Sequence, residues 1–185
     1  MKKTLVIHPQ DVSTVFLENI YKNKDFTVVN DCNISKLQLR DLIKQHDRII
    51  MCGHGIGSGL INPASVNRQK IVDYNNLYLI DDSFVDLLKD KETISIWCYS
   101  DQFFRRNRLK GFHTGMIISE VAEEQFILGN VPLNEKEIND NMIHFAKIIN
   151  ECIDLPALGM RDYILEHYIG NDPVTQFNRR NIIVL

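Results

Sequence analysis

Short β-branched runs alternate with amphipathic segments through the first two thirds of the chain. Thr4-Leu5-Val6-Ile7 shows no polar alternation and stops at a polar turn, the signature of a strand buried on both faces. Val15, Phe16, Ile20 and Tyr21 then recur at helical spacing, with Ser13 as the expected cap. Phe26-Thr27-Val28-Val29 reads as a second strand. Leu37, Leu39, Leu42 and Ile43 form a second helical stripe, opened by Asn33 or Ser35. Arg48-Ile49-Ile50-Met51-Cys52 is a third strand, halted by glycine.

Leu77-Tyr78-Leu79-Ile80 predicts a short strand or core segment, followed by a helix around Phe84, Leu87 and Leu88. Thr93-Ile94-Ser95-Ile96-Trp97 is the next strand, with a helix through Phe103, Phe104 and Leu109. Residues 112–118 predict a further strand and residues 121–126 a helical turn. The tail is helical from about residue 134 to about 170: Ile138, Met142, Phe145, Ile149 and Cys152 lie on a single stripe, and residues 158–168 continue it. Ile182-Ile183-Val184-Leu185 suits a short terminal strand. Strands alternating with helices specify an α/β fold, a three-layer α/β/α sandwich around a mostly parallel sheet of about five or six strands. In such a sheet the ligand site lies beyond the carboxyl ends of the strands. That rule selects the loops starting at His8, Cys52 and Trp97.

The 185 residues suit one domain, and no Pro/Gly-rich linker or repeat divides them. With 44% hydrophobic and 24% charged residues, the composition is that of a globular protein and excludes a disordered or low-complexity chain. A net charge of −3 gives no field for a nucleic acid or a membrane surface, so neither is expected as a partner. Met1-Lys2-Lys3-Thr4-Leu5-Val6-Ile7 begins like a signal peptide, but its apolar stretch is too short, which gives a cytoplasmic expectation. Cys32, Cys52, Cys98 and Cys152 are far apart, without metal-ligand spacing. They are expected as free thiols, with Cys52 and Cys152 buried, Cys32 partly exposed, and no metal or cofactor.

Chemistry concentrates in two strand-end loops. Cys52-Gly53-His54-Gly55-Ile56-Gly57-Ser58-Gly59 places a histidine between glycines at a strand end. It runs into Leu60-Ile61-Asn62-Pro63, which is hostile to a helix start, so it is neither a dinucleotide fingerprint nor a phosphate loop. Ile96-Trp97-Cys98-Tyr99-Ser100-Asp101 places a thiol at the end of another strand. A free thiol is only a few per cent ionised at neutral pH, and a neighbouring imidazole that takes its proton makes it a nucleophile.

An apolar strand ending in His-Gly, followed by an apolar strand ending in Cys, resembles the caspase-like (clan CD) superfamily of cysteine peptidases, closest in style to small bacterial caspase-like and CHAT-type domains. Ile49-Ile50-Met51-Cys52-Gly53-His54-Gly55 resembles the histidine block and Ile94-Ser95-Ile96-Trp97-Cys98 the cysteine block. The resemblance implies a caspase- or flavodoxin-like sheet over about residues 1–120. It also implies Cys98 as nucleophile and His54 as general base and acid, with the N–H groups of Gly55 and Cys98 as oxyanion hole and a peptide or protein as substrate. Several of these peptidases carry a polar or acidic residue two positions before the cysteine, where this chain has Ile96. Recognition of a charged P1 side chain would then fall to other loops, where Asp11, Asp101 and Glu120 are candidates, and acids there favour Lys or Arg.

Two other classes stay open: a non-catalytic binding or regulatory module of the same fold, and an α/β protein that grips a small anion through the 53–59 loop. Arg105, Arg106, Arg108 and Lys110 read as a solvated helix face, as do Glu120, Glu123 and Glu124. His113, His144 and His167 stand alone.

Overall fold

The computed structural model describes residues 2–67, 70–129 and 133–185; Met1, part of the N-terminal stretch read above, lies outside them. In chain order the strands are β1 (Thr4–Ile7), β2 (Thr27–Val29), β3 (Arg48–Cys52), β4 (Gly55–Ile56), β5 (Gly59–Ile61), β6 (Val66–Asn67), β7 (Lys70–Ile71), β8 (Tyr78–Ile80), β9 (Glu92–Ile96), β10 (Phe112–Thr114) and β11 (Ile182–Val184). The α-helices are α1 (Lys36–Lys44), α2 (Val85–Leu88), α3 (Ser100–Arg106), α4 (Val121–Leu128), α5 (Glu135–Cys152), α6 (Ala157–His167) and α7 (Pro173–Arg180).

Six strands form the main sheet in the order β11-β10-β9-β3-β1-β2, all parallel except the β11 edge. Side chains alternate between two cores, as the pleat requires. Leu5, Ile7, Ile49, Met51 and Trp97 point to one face, where Leu39 and Ile43 of α1, Leu88 of α2, and Phe103 and Phe104 of α3 cover them. Val6, Ile50, Cys52, Ile94 and Ile96 point to the other face. There they meet Phe16, Leu17 and Ile20 of a 3-10 helix (Val12–Ile20), with α5 and α6. Both faces are dry, which is why the strand sequences run apolar without alternation. The three-layer α/β/α arrangement expected from the sequence is the one observed.

The helical stripe of the tail is α5, whose Ile138, Met142, Phe145, Ile149 and Cys152 are all buried. The segment after β1 differs from expectation. It is a 3-10 helix capped by Asp11, whose side chain accepts from the Ser13 N–H; Ser13 is therefore not the cap. The 53–59 loop is the β4–β5 hairpin, extended by β8 into a small antiparallel sheet of its own. Helix α7 and the β6–β7 pair escaped the sequence reading because both are short and largely polar.

Arg48 opens β3 with a buried guanidinium, and a buried charge is stable only when paired. It donates to Thr4 Oγ1 (3.0 Å), the Ile153 carbonyl (2.7 Å) and Asp154 Oδ1 (2.9 Å), and stacks over Phe26. These bonds fix the sheet to the end of α5. Two further polar groups read as solvent-facing or idle prove buried. Glu124 of α4 is fully buried, and His113 of β10 lies against Phe104 with ring centroids 3.9 Å apart. Among the described residues, neither group has a hydrogen-bond partner. No helix among the described residues is long and apolar enough to cross a membrane.

Burial lowers the His113 pKa to about 3, with a smaller contribution from Arg105, and burial lowers that of His8 to about 4. Both rings are neutral in the fold but bind a proton when unfolded below about pH 6.5. The unfolded chain then holds more protons than the folded one, so stability falls as pH drops below 6.5. The loss is at most about 1.4 kcal/mol per pH unit per histidine. Urea titrations at pH 7.5, 6 and 5 should show this decline, with His113→Leu removing its share; an equal decline in the variant would refute the assignment to His113.

Candidate functional site

Strands β3 and β9 are parallel neighbours in register, with Cys52 opposite Ile96. His54 and Cys98 each follow two residues later. One further bond, from the Gly53 N–H to the Ile96 carbonyl (3.2 Å), carries the pairing past the strand ends. The histidine and the thiol therefore leave the sheet side by side. Both line a small apolar hollow of about 30 Å³ with Ile96, Ile117 and Met142, and both line a more open cavity of about 310 Å³. The loop after β1 enters from the third side. Strand β1 has β2 on one flank and β3 on the other, so the connections diverge here, the place where open α/β sheets form clefts.

His54 sits at the mouth with its side chain 35% exposed. Its Nε2 lies 2.6 Å from Ser13 Oγ, and Ser13 Oγ lies 2.7 Å from Asp11 Oδ1. The same carboxylate oxygen accepts the Ser13 N–H at 2.9 Å and stands 4.0 Å from His54 Nε2. Partial burial opposes ionisation of Asp11. The two Ser13 hydrogen bonds outweigh it, aided by the nearby His54 and His8, and hold the carboxyl below the usual range. Ser13 is the residue that sequence reasoning missed. The signal was Asp11-x-Ser13 itself, an Asx-type turn that binds the serine to the aspartate.

Cys98 lies on a sharp bend two residues past the end of β9. Tyr99 takes a left-handed conformation (φ 64°, ψ 26°) and its N–H donates to the Gly115 carbonyl at 3.0 Å. A bulky residue there is strained, and the surrounding bonds hold it. Buried Ser100 reaches the carbonyls of Ser95 (3.1 Å) and Thr114 (2.9 Å), and Thr114 Oγ1 donates to the Trp97 carbonyl (2.9 Å). The Cys98 thiol itself points toward the Ile117 carbonyl, 3.6 Å away. Burial, with smaller repulsion from Glu123 and Glu120, raises its pKa to about 11. It is a protonated thiol at rest.

The glycines of the hairpin serve close packing. A Cβ on Gly55 would stand 2.1 Å from Trp97 Cδ1, and one on Gly59, at φ 153°, would stand 2.1 Å from the Ile80 carbonyl oxygen. Trp97 lies over the hairpin and donates from Nε1 to the Ile56 carbonyl at 3.2 Å. Arg106 clamps the same turn through the Gly57 carbonyl (2.6 Å). Ile61 donates to the His54 carbonyl (2.9 Å), which makes His54 and Ile61 a hydrogen-bonded pair. In an antiparallel ladder the next pair, Gly55 and Leu60, is not hydrogen-bonded. The Gly55 N–H is thus directed away from β5.

The remaining candidates divide. Asp11 lines the 310 Å³ cavity, as does Glu123, which the sequence reading had left on a wet helix face. Glu120 lines a separate cleft of about 620 Å³ with Asp11, Ser13, Phe16 and Glu135. Asp101 lies on α3 beside Arg105 (3.5 Å) and lines neither cavity that holds Cys98. Of the thiols, Cys52 and Cys152 are buried and Cys32 is partly exposed, as expected. Burial raises the pKa of Cys52 above the ordinary thiol range and that of Cys152 to about 12. Among the described residues, no three His, Cys, Asp or Glu side chains converge as a metal site would require. Compared with known proteins, the chain matches no family model, no curated protein and no solved structure.

Proposed function

We propose that the protein is a cysteine hydrolase of the caspase-like type, acting on peptide bonds through Cys98 and His54. The observation that carries this reading is their position at the ends of adjacent parallel strands, lining the same two cavities. At a pKa of about 11, roughly one thiol in 10⁴ is ionised at pH 7. The nucleophile is therefore made as it is used. His54 takes the thiol proton while sulfur bonds to the scissile carbonyl carbon. The oxyanion forms beside the N–H groups of Cys98 and Gly55. As the C–N bond breaks, the imidazolium returns its proton to the departing amine and leaves a thioester. Water, losing a proton to His54, then attacks the thioester; carboxylic acid leaves and the thiol is restored. Each preorganised oxyanion donor contributes about 3–4 kcal/mol to such a reaction.

A neutral, half-buried thiol is also what a non-catalytic module of this fold would carry, so labelling decides between the two readings. Brief iodoacetamide treatment at pH 7.5 is expected to modify Cys98 ahead of Cys52 and Cys152, and His54→Ala should slow that labelling. A peptide-library digest should give cleavage that Cys98→Ala abolishes. Intact protein that cuts no peptide and labels Cys98 no faster than Cys152 would favour the binding module.

The open cavity bears on specificity. Its apolar wall comes from Ile61, Pro63, Val66 and Met116, and its two carboxylates are Asp11 and Glu123. Asp11 is engaged by Ser13. Glu123 uses Oε2 to accept the Ser119 N–H (2.8 Å), the Ser119 hydroxyl (3.0 Å) and the Glu120 N–H (3.2 Å). Among the described residues its second oxygen has no hydrogen-bond partner, which leaves it to meet a substrate cation. Glu123 thereby takes the role that the sequence gave to Glu120. Cleavage is expected after Lys or Arg, with Glu123→Gln, which can still cap α4, reducing that preference by about tenfold or more, as loss of a charged hydrogen-bond partner does. Cleavage after Asp, or a preference unchanged in the variant, would refute the assignment.

A further inference from the structure

Three atoms in a row after β1 and β3 determine which nitrogen of His54 carries its proton. The Ser13 hydroxyl has a single proton and two partners, Asp11 Oδ1 at 2.7 Å and His54 Nε2 at 2.6 Å. A carboxylate only accepts. If Ser13 gave its proton to His54, the serine and aspartate oxygens would face each other at 2.7 Å with no proton between them. The proton therefore goes to Asp11, and the serine oxygen is left to accept. The atom that donates to it is His54 Nε2, which must carry a hydrogen. A neutral imidazole has only one N–H, so Nδ1 is the unprotonated nitrogen. Among the described residues Nδ1 has no hydrogen-bond partner, and His54 shares both of its cavities with Cys98.

We propose that Asp11 and Ser13 are positioning residues that hold neutral His54 in its Nε2–H form and thereby present the Nδ1 lone pair to the Cys98 thiol. The catalytic part of this statement rests on the dyad proposed above; the tautomer part does not. Neither Asp11 nor Ser13 touches the reacting atoms. They act through His54, as a carboxylate does when it holds a catalytic imidazole in one tautomer, with the serine inserted as a spacer across the 4.0 Å between Asp11 Oδ1 and Nε2. When His54 takes the thiol proton, Nε2–H stays bonded to Ser13 and the charge of Asp11 lies one hydroxyl behind it. A relay built from two loops also explains why Asp11 caps the 3-10 helix with the oxygen that binds Ser13: the backbone bond at 2.9 Å fixes the serine at the distance His54 needs.

Asp11 has a structural duty as a cap, so the informative variant is Ser13→Ala, which removes the hydroxyl and leaves the Asp11 bond to the residue 13 N–H. The test has two readouts on folded protein. In ¹⁵N-labelled protein above the histidine titration range, the His54 signals, assigned by their loss in His54→Gln, are expected to report the Nε2–H form. Ser13→Ala should give a mixture of tautomers, and Ser13→Thr, which keeps a hydroxyl, should restore the single form. In parallel, Ser13→Ala should slow iodoacetamide labelling of Cys98 by about 10²-fold, within the range a positioned general base contributes, and Ser13→Thr should recover most of it. An Nδ1–H form in the wild type, or a Ser13→Ala protein with one tautomer and a wild-type labelling rate, would overturn the relay. Peptide cleavage abolished by Ser13→Ala but retained by Cys98→Ala would also overturn it, making Ser13 the nucleophile. A wild type in the Nε2–H form whose Cys98 is inert would uphold the tautomer control and refute the dyad instead.

Discussion

The in-register parallel pairing of β3 with β9 is the constraint on which the site depends. Five residue pairs, from Arg48–Glu92 to Cys52–Ile96, lock the two strands. A slip of one residue would turn every side chain to the opposite face, sending Ile50, Cys52, Ile94 and Ile96 out of their core and Ile49 and Met51 out of theirs. Because both faces are dry, the penalty is misfit in two cores, about 1–3 kcal/mol for each side chain that no longer fits. His54 and Cys98 inherit their relative position from this register. The Arg48 clamp closes one end of the ladder and the Gly53 bond closes the other.

Around that fixed pair, the loops are shaped by close contacts. Gly55 admits Trp97, Trp97 holds the hairpin through Ile56, and Phe103 and Phe104 pack on the same indole. The strained turn at Tyr99 is held by Ser100 at the start of α3 and Thr114 at the end of β10. Strain of this kind persists only where the neighbours over-determine it, and here the over-determined atoms carry the thiol. The half-buried Cys98 shares its hollow with Ile96, Ile117 and Met142 and has carboxylates in the adjoining cavity. Those surroundings keep it protonated. In the proposed hydrolase, chemistry at Cys98 needs a base with a defined lone pair rather than a standing ion pair, and the hydrogen bonds linking Asp11, Ser13 and His54 are the arrangement proposed to define it.

Much of this was legible in the sequence where one interaction dominates. Apolar runs such as Leu5-Val6-Ile7 reveal strands buried on both faces, because burial sets every position in them. The α5 stripe was legible for the same reason. His54 and Cys98 were legible because each stands at a strand end, where the doubly wound topology gathers ligands. What stayed hidden depends on contacts between distant segments. Ser13 looked like a helix cap, since capping and relay use the same residue type, and only the fold brings it within 2.6 Å of residue 54. Glu123 and Glu120 are equivalent in sequence; the register of α4 places one by Cys98 and the other by the larger cleft. Glu124, a residue later, is buried altogether.

The glycine-rich loop shows the limit from the other side. Read alone, alternating glycines suggest a main-chain cradle for an anion. In the fold, Gly55 and Gly59 answer to an indole ring and a carbonyl oxygen, and the hairpin ladder takes up the His54 carbonyl. The Gly55 N–H is turned away from β5 by the alternation of the ladder. In the proposed hydrolase this N–H would join that of Cys98 at the oxyanion, and the same hairpin carries the imidazole. His54 and Gly55 thus share one hairpin, placed by the β3–β9 register and closed by Trp97.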